Sequence, residues 1–250
     1  MKEKIELNAE AVSLRQQFGE DVNSPVDIFA LLQGEDLTIV FYPMSDRISG
    51  ICIRDGTNKI VGINSTSTYG RQRFTAAHEL YHLFFHEEFK SIICSKDFNI
   101  NKDIQEKEAD IFASFFLAPY EALKYFIKHK LGKDKRGLEL NDVIRIEQFF
   151  GLSRQAALWR LIDDGYLTCK KADTMKKGVI SSALRLGFDS KLYLPSPKDE
   201  QYTTYGKYIE LVEMLEDREL VSRGKYEEIL LDGFRGDIVY GSAQKIEQYD

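Results

Sequence analysis

The chain has 250 residues, 43% of them apolar types, and a formal net charge of −6; that is enough to bury a substantial core, in one large domain or a few small ones. The negative balance gives no electrostatic reason to expect nucleic acid or an anionic membrane as the main partner, and the richest apolar stretch, IFASFFLAPY, is too short to span a bilayer. The scattered cysteines Cys52, Cys94 and Cys169 form no CxxC pair and the charged opening MKEKIELNAEAV has no signal-peptide core, so the expected setting is the reducing cytoplasm.

Residues 7–34 read as two helices. NAEAVSLRQQFG places Ala11, Val12, Leu14 and Phe18 at helical spacing and stops at Gly19. In SPVDIFALLQG, Ser24 is the expected cap, Pro25 suits the first helical position and Gly34 ends the run. LTIVFYP, GICIRD and KIVGINS follow, rich in β-branched residues and broken by Gly, Pro, Asn and Asp; they predict a small antiparallel sheet.

The next helix is expected from Tyr69 to about Glu88, and its FTAAHELYHLFFHEE segment holds three of the four histidines. Within it, His78, Glu79 and His82 form H-E-x-x-H. Residues four apart on a helix stand one above the other, so His78 and His82 aim their imidazoles at one point, a spacing suited to Zn²⁺. Glu79 is turned by about 100° from His78, placed to take a proton from a metal-activated water. A catalytic zinc needs a third protein ligand. His86 is rejected, because eight helical residues advance about 12 Å; it reads as a packing or supporting residue, and His129 as solvated. Glu108, in the helical segment EKEADIFASFF, is the best candidate. Ala109 and Ala113 are small residues that let two helices approach. Glu106, Asp110 and Cys94 are weaker candidates for the same role.

That second helix, IQEKEADIFASFFLAPYEALKYFIKHK, is expected to break or kink at Pro119. KHKLGKDKRG, residues 128–137, reads as a solvated linker. Beyond it, IRIEQFFGLSRQAALWRL resembles a helix-turn-helix, with Gly151 at the turn and Ser153 as cap. Arg154 and Arg160 are offset by Asp142, Glu147, Asp163 and Asp164, so this segment reads as helical support rather than a DNA reader. Leu158 and Trp159 are expected in the core. GKYIELVEMLEDREL and KYEEILLDG predict two further helices of unknown role.

RQRFTAAHELYHLFFH followed by EKEADIFASFFLAP resembles the ImmA/IrrE family of bacterial zinc metallopeptidases, and SPVDIFALL and KIVGINS resemble its entry helix and the strand before its active-site helix. The resemblance covers roughly residues 8–125. It implies an α+β fold: a mainly helical, zincin-like domain with a small antiparallel sheet, then helical additions. It carries the metal ligands onto His78, His82 and Glu108, and the catalytic glutamate onto Glu79. Tyr81 departs from the glycine usual in relatives. The expected partition is residues 1–130, 137–170 and 171–250. The expected activity is a zinc-dependent endopeptidase making limited cuts in a protein substrate, a helix-turn-helix repressor of a mobile element or stress operon. What would stabilise an oxyanion besides zinc is open; Tyr69 and Tyr81 are nearby phenols. The alternative is a non-catalytic regulatory binding protein with a vestigial or metal-sensing zinc site.

Overall fold

A computed structural model describes residues 1–86, 91–95, 103–134 and 137–241. Helix α1, Lys4–Gln17, buries Leu7, Ala11 and Leu14. Its Arg15 is fully buried and donates to the carbonyls of Asp21, Ser24 and Phe116 at 2.6–3.0 Å. One guanidinium thus satisfies several buried acceptors and ties the loop after α1 to a distant helix end. Helix α2, Ile28–Gly34, is capped by Asp27, not Ser24: the Asp27 carboxylate accepts from the Ala30 amide at 3.3 Å. The helix therefore starts three residues later than Pro25 would place it.

The three expected strands form, as β1 (Thr38–Tyr42), β2 (Ile48–Asp55) and β3 (Asn58–Asn64). The sheet is mixed, which corrects the antiparallel expectation: β2 and β3 are an antiparallel hairpin, but β1 runs parallel to β3. Residues 43–47 cross the end of β3, so that β3 inserts between its two predecessors. Asn64 holds the crossing in place. Its side chain donates to the Ser45 and Ile48 carbonyls at 3.1 and 2.7 Å and accepts from the Met44 amide at 3.2 Å. Two further strands complete the order β4-β2-β3-β1-β5: β4 (Ser91–Ser95) against β2 and β5 (Thr203–Gly206) against β1. Alternate residues Ile39, Phe41, Cys52, Val61 and Ile63 face the core.

Helix α3, Tyr69–Phe85, lies on β2 and β3 and packs against α4, Ile104–Leu117. It ends where His86 turns extended, short of Glu88. Pro119 separates α4 from α5, Tyr120–Tyr125, which runs into a π-helical turn, Phe126–Lys130. In the stretch expected as a linker, Lys128, His129 and Lys130 are exposed, and residues 135 and 136 lie outside the described residues. On either side of it, Phe126, Ile127, Leu138 and Phe150 belong to the same apolar core as Leu7, Phe74 and Phe116.

Helices α6 (Leu140–Phe150) and α7 (Arg154–Asp163) are joined by Gly151 at φ 67°, a left-handed conformation that favours glycine. Ser153 caps α7. The pair sits on the first half of α3: a Cβ on Gly70 would meet the Ser153 amide at 2.9 Å, and Arg73 donates to the carbonyls of Gly151 and Val26 at 3.2 and 2.6 Å. Arg154 is buried against Glu147, which also accepts from the Tyr193 hydroxyl at 2.8 Å. Arg160 bonds Asp164 at 2.7 Å and the Ser114 carbonyl at 3.1 Å. Leu158 is buried as expected, but Trp159 is 37% exposed. It projects from the side of α7 away from Ala157 and Leu161, which take the core face.

Helices α8 (Cys169–Asp173) and α9 (Val179–Arg185) follow. The chain then returns past the start of α3, where the Tyr69 amide donates to the Leu194 carbonyl at 2.7 Å, and enters the sheet as β5. Helices α10 (Lys207–Asp217), α11 (Arg223–Asp232) and α12 (Gly236–Tyr240) close the described chain. Val212, Tyr226 and Leu230 form a small core of their own there. Among the described residues, no helix is long and apolar enough to cross a membrane.

Candidate metal centre

The site forms where α3 and α4 face each other. His78 and His82, one turn apart on α3, bring their Nε2 atoms to 3.1 Å. Across from them, Glu106 of α4 lies 3.2 Å from His82 Nε2 and 3.5 Å from His78 Nε2. Each ring is oriented through its other nitrogen. His78 Nδ1 is 2.9 Å from Asp110 Oδ1, and His82 Nδ1 is 3.1 Å from His86 Nδ1. A supporting bond at Nδ1 leaves Nε2 with its lone pair directed at the shared point. His86 is thus the supporting residue that its distance from His78 requires.

Glu108 is not brought to the histidines. Its carboxylate accepts from the Tyr81 hydroxyl at 2.8 Å and from the Lys2 amide at 2.5 Å. Two residues along a helix is a turn of about 200°, so Glu106 and Glu108 cannot face α3's histidines together. Glu106, Ala109, Asp110 and Ala113 share one face, at i, i+3, i+4 and i+7; the small residues that signal close approach mark the Glu106 face. Two i,i+4 pairs, His78/His82 and Glu106/Asp110, stand opposite each other. Tyr81, at the position where a glycine is usual, holds Glu108 and is buried at 2% exposure.

Glu79 is fully buried on the side of α3 that faces the sheet. A Cβ on Gly50 of β2 would lie 2.8 Å from its Oε1, so only glycine lets the strand approach this closely. Its Oε2 accepts from the Cys94 thiol at 3.3 Å, while Oε1 has no hydrogen-bond partner among the described residues. Burial raises the Glu79 carboxyl to about 7, against the pull of His78. For His78, burial opposes the charged form, but Asp110, Glu106 and Glu79 outweigh it and raise the ring to about 9. Burial likewise pushes the Glu106 carboxyl up, and the hydrogen bonds to His78 and His82 outweigh it, holding it well below the usual carboxylate range. Burial, reinforced by Glu79 and Glu106, pushes the Cys94 thiol far up.

This donor set fits a divalent cation. Three carboxylates, Glu79, Glu106 and Asp110, lie around two imidazoles whose free nitrogens converge; they raise His78, whereas burial, with a smaller contribution from His78, lowers His82. The donor atoms of His78, His82, Cys94 and Glu106 all lie within 4.8 Å of one another. Nitrogen, carboxylate and sulfur donors in this number suit zinc. Behind Asp110 opens a groove of about 960 Å³ whose lining includes Arg71, Phe74, Ile111, Trp159 and Ile162, which explains why the tryptophan is not in the core.

No curated protein matches the chain. Residues 34–161 match the family model described as the IrrE N-terminal-like domain, Peptidase_M78. That span runs from the end of α2 to α7 and takes in β1–β4, both metal-site helices and the docked α6–α7 pair, so with more than half of its length inside the match the chain belongs to the IrrE-like peptidase family.

Proposed function

We propose that this protein is a zinc-dependent endopeptidase acting in the cytoplasm, with His78, His82 and Glu106 as metal ligands and Glu79 as general base. The single observation that carries the reading is the convergence of two imidazole nitrogens and the Glu106 carboxylate beside a buried glutamate one residue from a ligand. Zinc, when bound there, supplies Lewis acidity that polarises a peptide carbonyl and makes water a better nucleophile. Glu79 takes the proton of the attacking water and passes it to the leaving amine. Asp110 and His86 keep the rings presenting Nε2. Burial of His78, Glu79 and His82 strengthens the charge interactions on the α3 side of the site.

The substrate is a protein, and the family resemblance favours a helix-turn-helix repressor of a mobile element or stress operon, cut at few positions. The test is incubation of purified protein with the product of a neighbouring repressor-like gene, read by mass spectrometry. Discrete fragments are expected with wild type and none with chelator or with Glu79→Gln; an intact repressor under all three conditions rejects this substrate. One observation favours the alternative of a non-catalytic, metal-sensing binding protein. A fourth donor, Cys94, reaches the same centre, and four protein ligands are the mark of closed sites.

A further inference from the structure

Cys94 is 1% exposed and is a free thiol. Its sulfur lies 3.3 Å from Glu79 Oε2 and 3.9 Å from Glu106 Oε1. It sits there because of the sheet. In the β2–β4 register Cys94 stands opposite Gly50, and the bare Gly50 backbone is pressed onto α3, where a Cβ would meet Thr75 Cγ2 at 2.5 Å. The strand beside it therefore carries its inward side chain to the metal face of the helix. Cys52, the neighbouring inward thiol, is fully buried beside Glu79 but does not join the four-donor set. Glu79 itself is fully buried with Oε1 lacking a partner.

We propose that Cys94 is a fourth, closing ligand: in the resting protein its thiolate completes a His₂-Glu-Cys shell around the metal and holds the position that water needs for catalysis. The inference rests on the metallopeptidase reading and adds to it a resting state. On closure the S–H bond breaks and a metal–sulfur bond forms from the sulfur lone pair. The proton goes to Glu79 Oε2, the acceptor already in contact, and no electrons are transferred. Closure thus blocks the site by filling the water position. Opening is the reverse: water replaces sulfur, and Glu79 returns the proton to Cys94.

Two measurements on the full chain test this with the metal alone. Zinc K-edge absorption of zinc-loaded wild type should show one sulfur at about 2.3 Å beside nitrogen and oxygen near 2.0–2.2 Å. Cobalt(II)-loaded protein should show a thiolate-to-metal charge-transfer band that is lost in Cys94→Ser and kept in Cys52→Ser. Cys94→Ser should also release zinc to a chelator about 10-fold faster or more, since even indirect support of a ligand is worth that much. A shell of nitrogen and oxygen only, or a charge-transfer band that survives Cys94→Ser, overturns the role of Cys94 and leaves the three-ligand reading standing. Wild-type protein that binds neither zinc nor cobalt overturns both. The absorption measurement needs no variant, so it decides the question even where Cys94→Ser does not fold.

Discussion

Two of the helix pairs that bury charge, α6–α7 and α3–α4, differ in how it is balanced. Between α6 and α7, Glu147 meets Arg154, with the Tyr193 hydroxyl on the second carboxylate oxygen. One anion faces one cation, and nothing further is needed. Between α3 and α4, Glu79, Glu106 and Asp110 surround His78 and His82. There the carboxylates share two imidazoles, with Arg71 also acting on Asp110, and two nitrogen lone pairs point at one spot. A buried ion pair is costly to break from one side only, whereas a cluster whose lone pairs converge on one point can also hold a cation.

The largest expected effect separates chemistry from metal binding at the α3–α4 pair. Glu79→Gln should keep about one zinc per chain while peptide hydrolysis falls by about 10²- to 10⁴-fold, the usual worth of a general base. Elemental analysis alongside a cleavage assay reads both, and loss of zinc in this variant would place Glu79 among the ligands. On the balanced side, Arg154→Met should cost about 3–5 kcal/mol in denaturant unfolding, because it strands Glu147 without its cation. The double variant Glu147→Leu with Arg154→Met should recover most of that loss. A single variant as stable as wild type would mean that Glu147 is not held as an anion and would break the comparison.

Next in size is the choice between two glutamates. Glu106→Gln should weaken zinc binding by about 100-fold or more, whereas Glu108→Gln, which leaves the histidine face intact, should change it by no more than a few-fold. Chelator competition measures both, and the opposite ranking would restore Glu108 as the ligand. Asp110→Asn should cost about 10- to 100-fold in affinity, the range for a group that orients a ligating imidazole. The smallest effect is expected at Trp159, which lines an open groove. Trp159→Ala should change stability by no more than about 1 kcal/mol, and a thermal shift of a size typical for core aromatics would show that the groove is closed in solution.

The sequence by itself determined whatever is local. Four-residue spacing on a helix brings His78 and His82 together in any fold, and it sets Glu79 to the side of both. Pro119 stops a helix because it lacks an amide proton, and Gly151 permits the left-handed turn between α6 and α7. Only the tertiary structure decided which face of α4 meets α3. Glu106 and Glu108 are equally acidic and equally helical; the packing of Ala109, Phe112, Ala113 and Phe116 in the core sets the rotation of α4, and that rotation sends one carboxylate to the histidines and the other to Tyr81. The same holds for the parallel pairing of β1 with β3, for β4 carrying Cys94 to Glu79, and for β5 joining from beyond residue 200. Strand order and helix rotation depend on which surfaces, distant in the chain, bury each other best, and local periodicity carries no record of that choice.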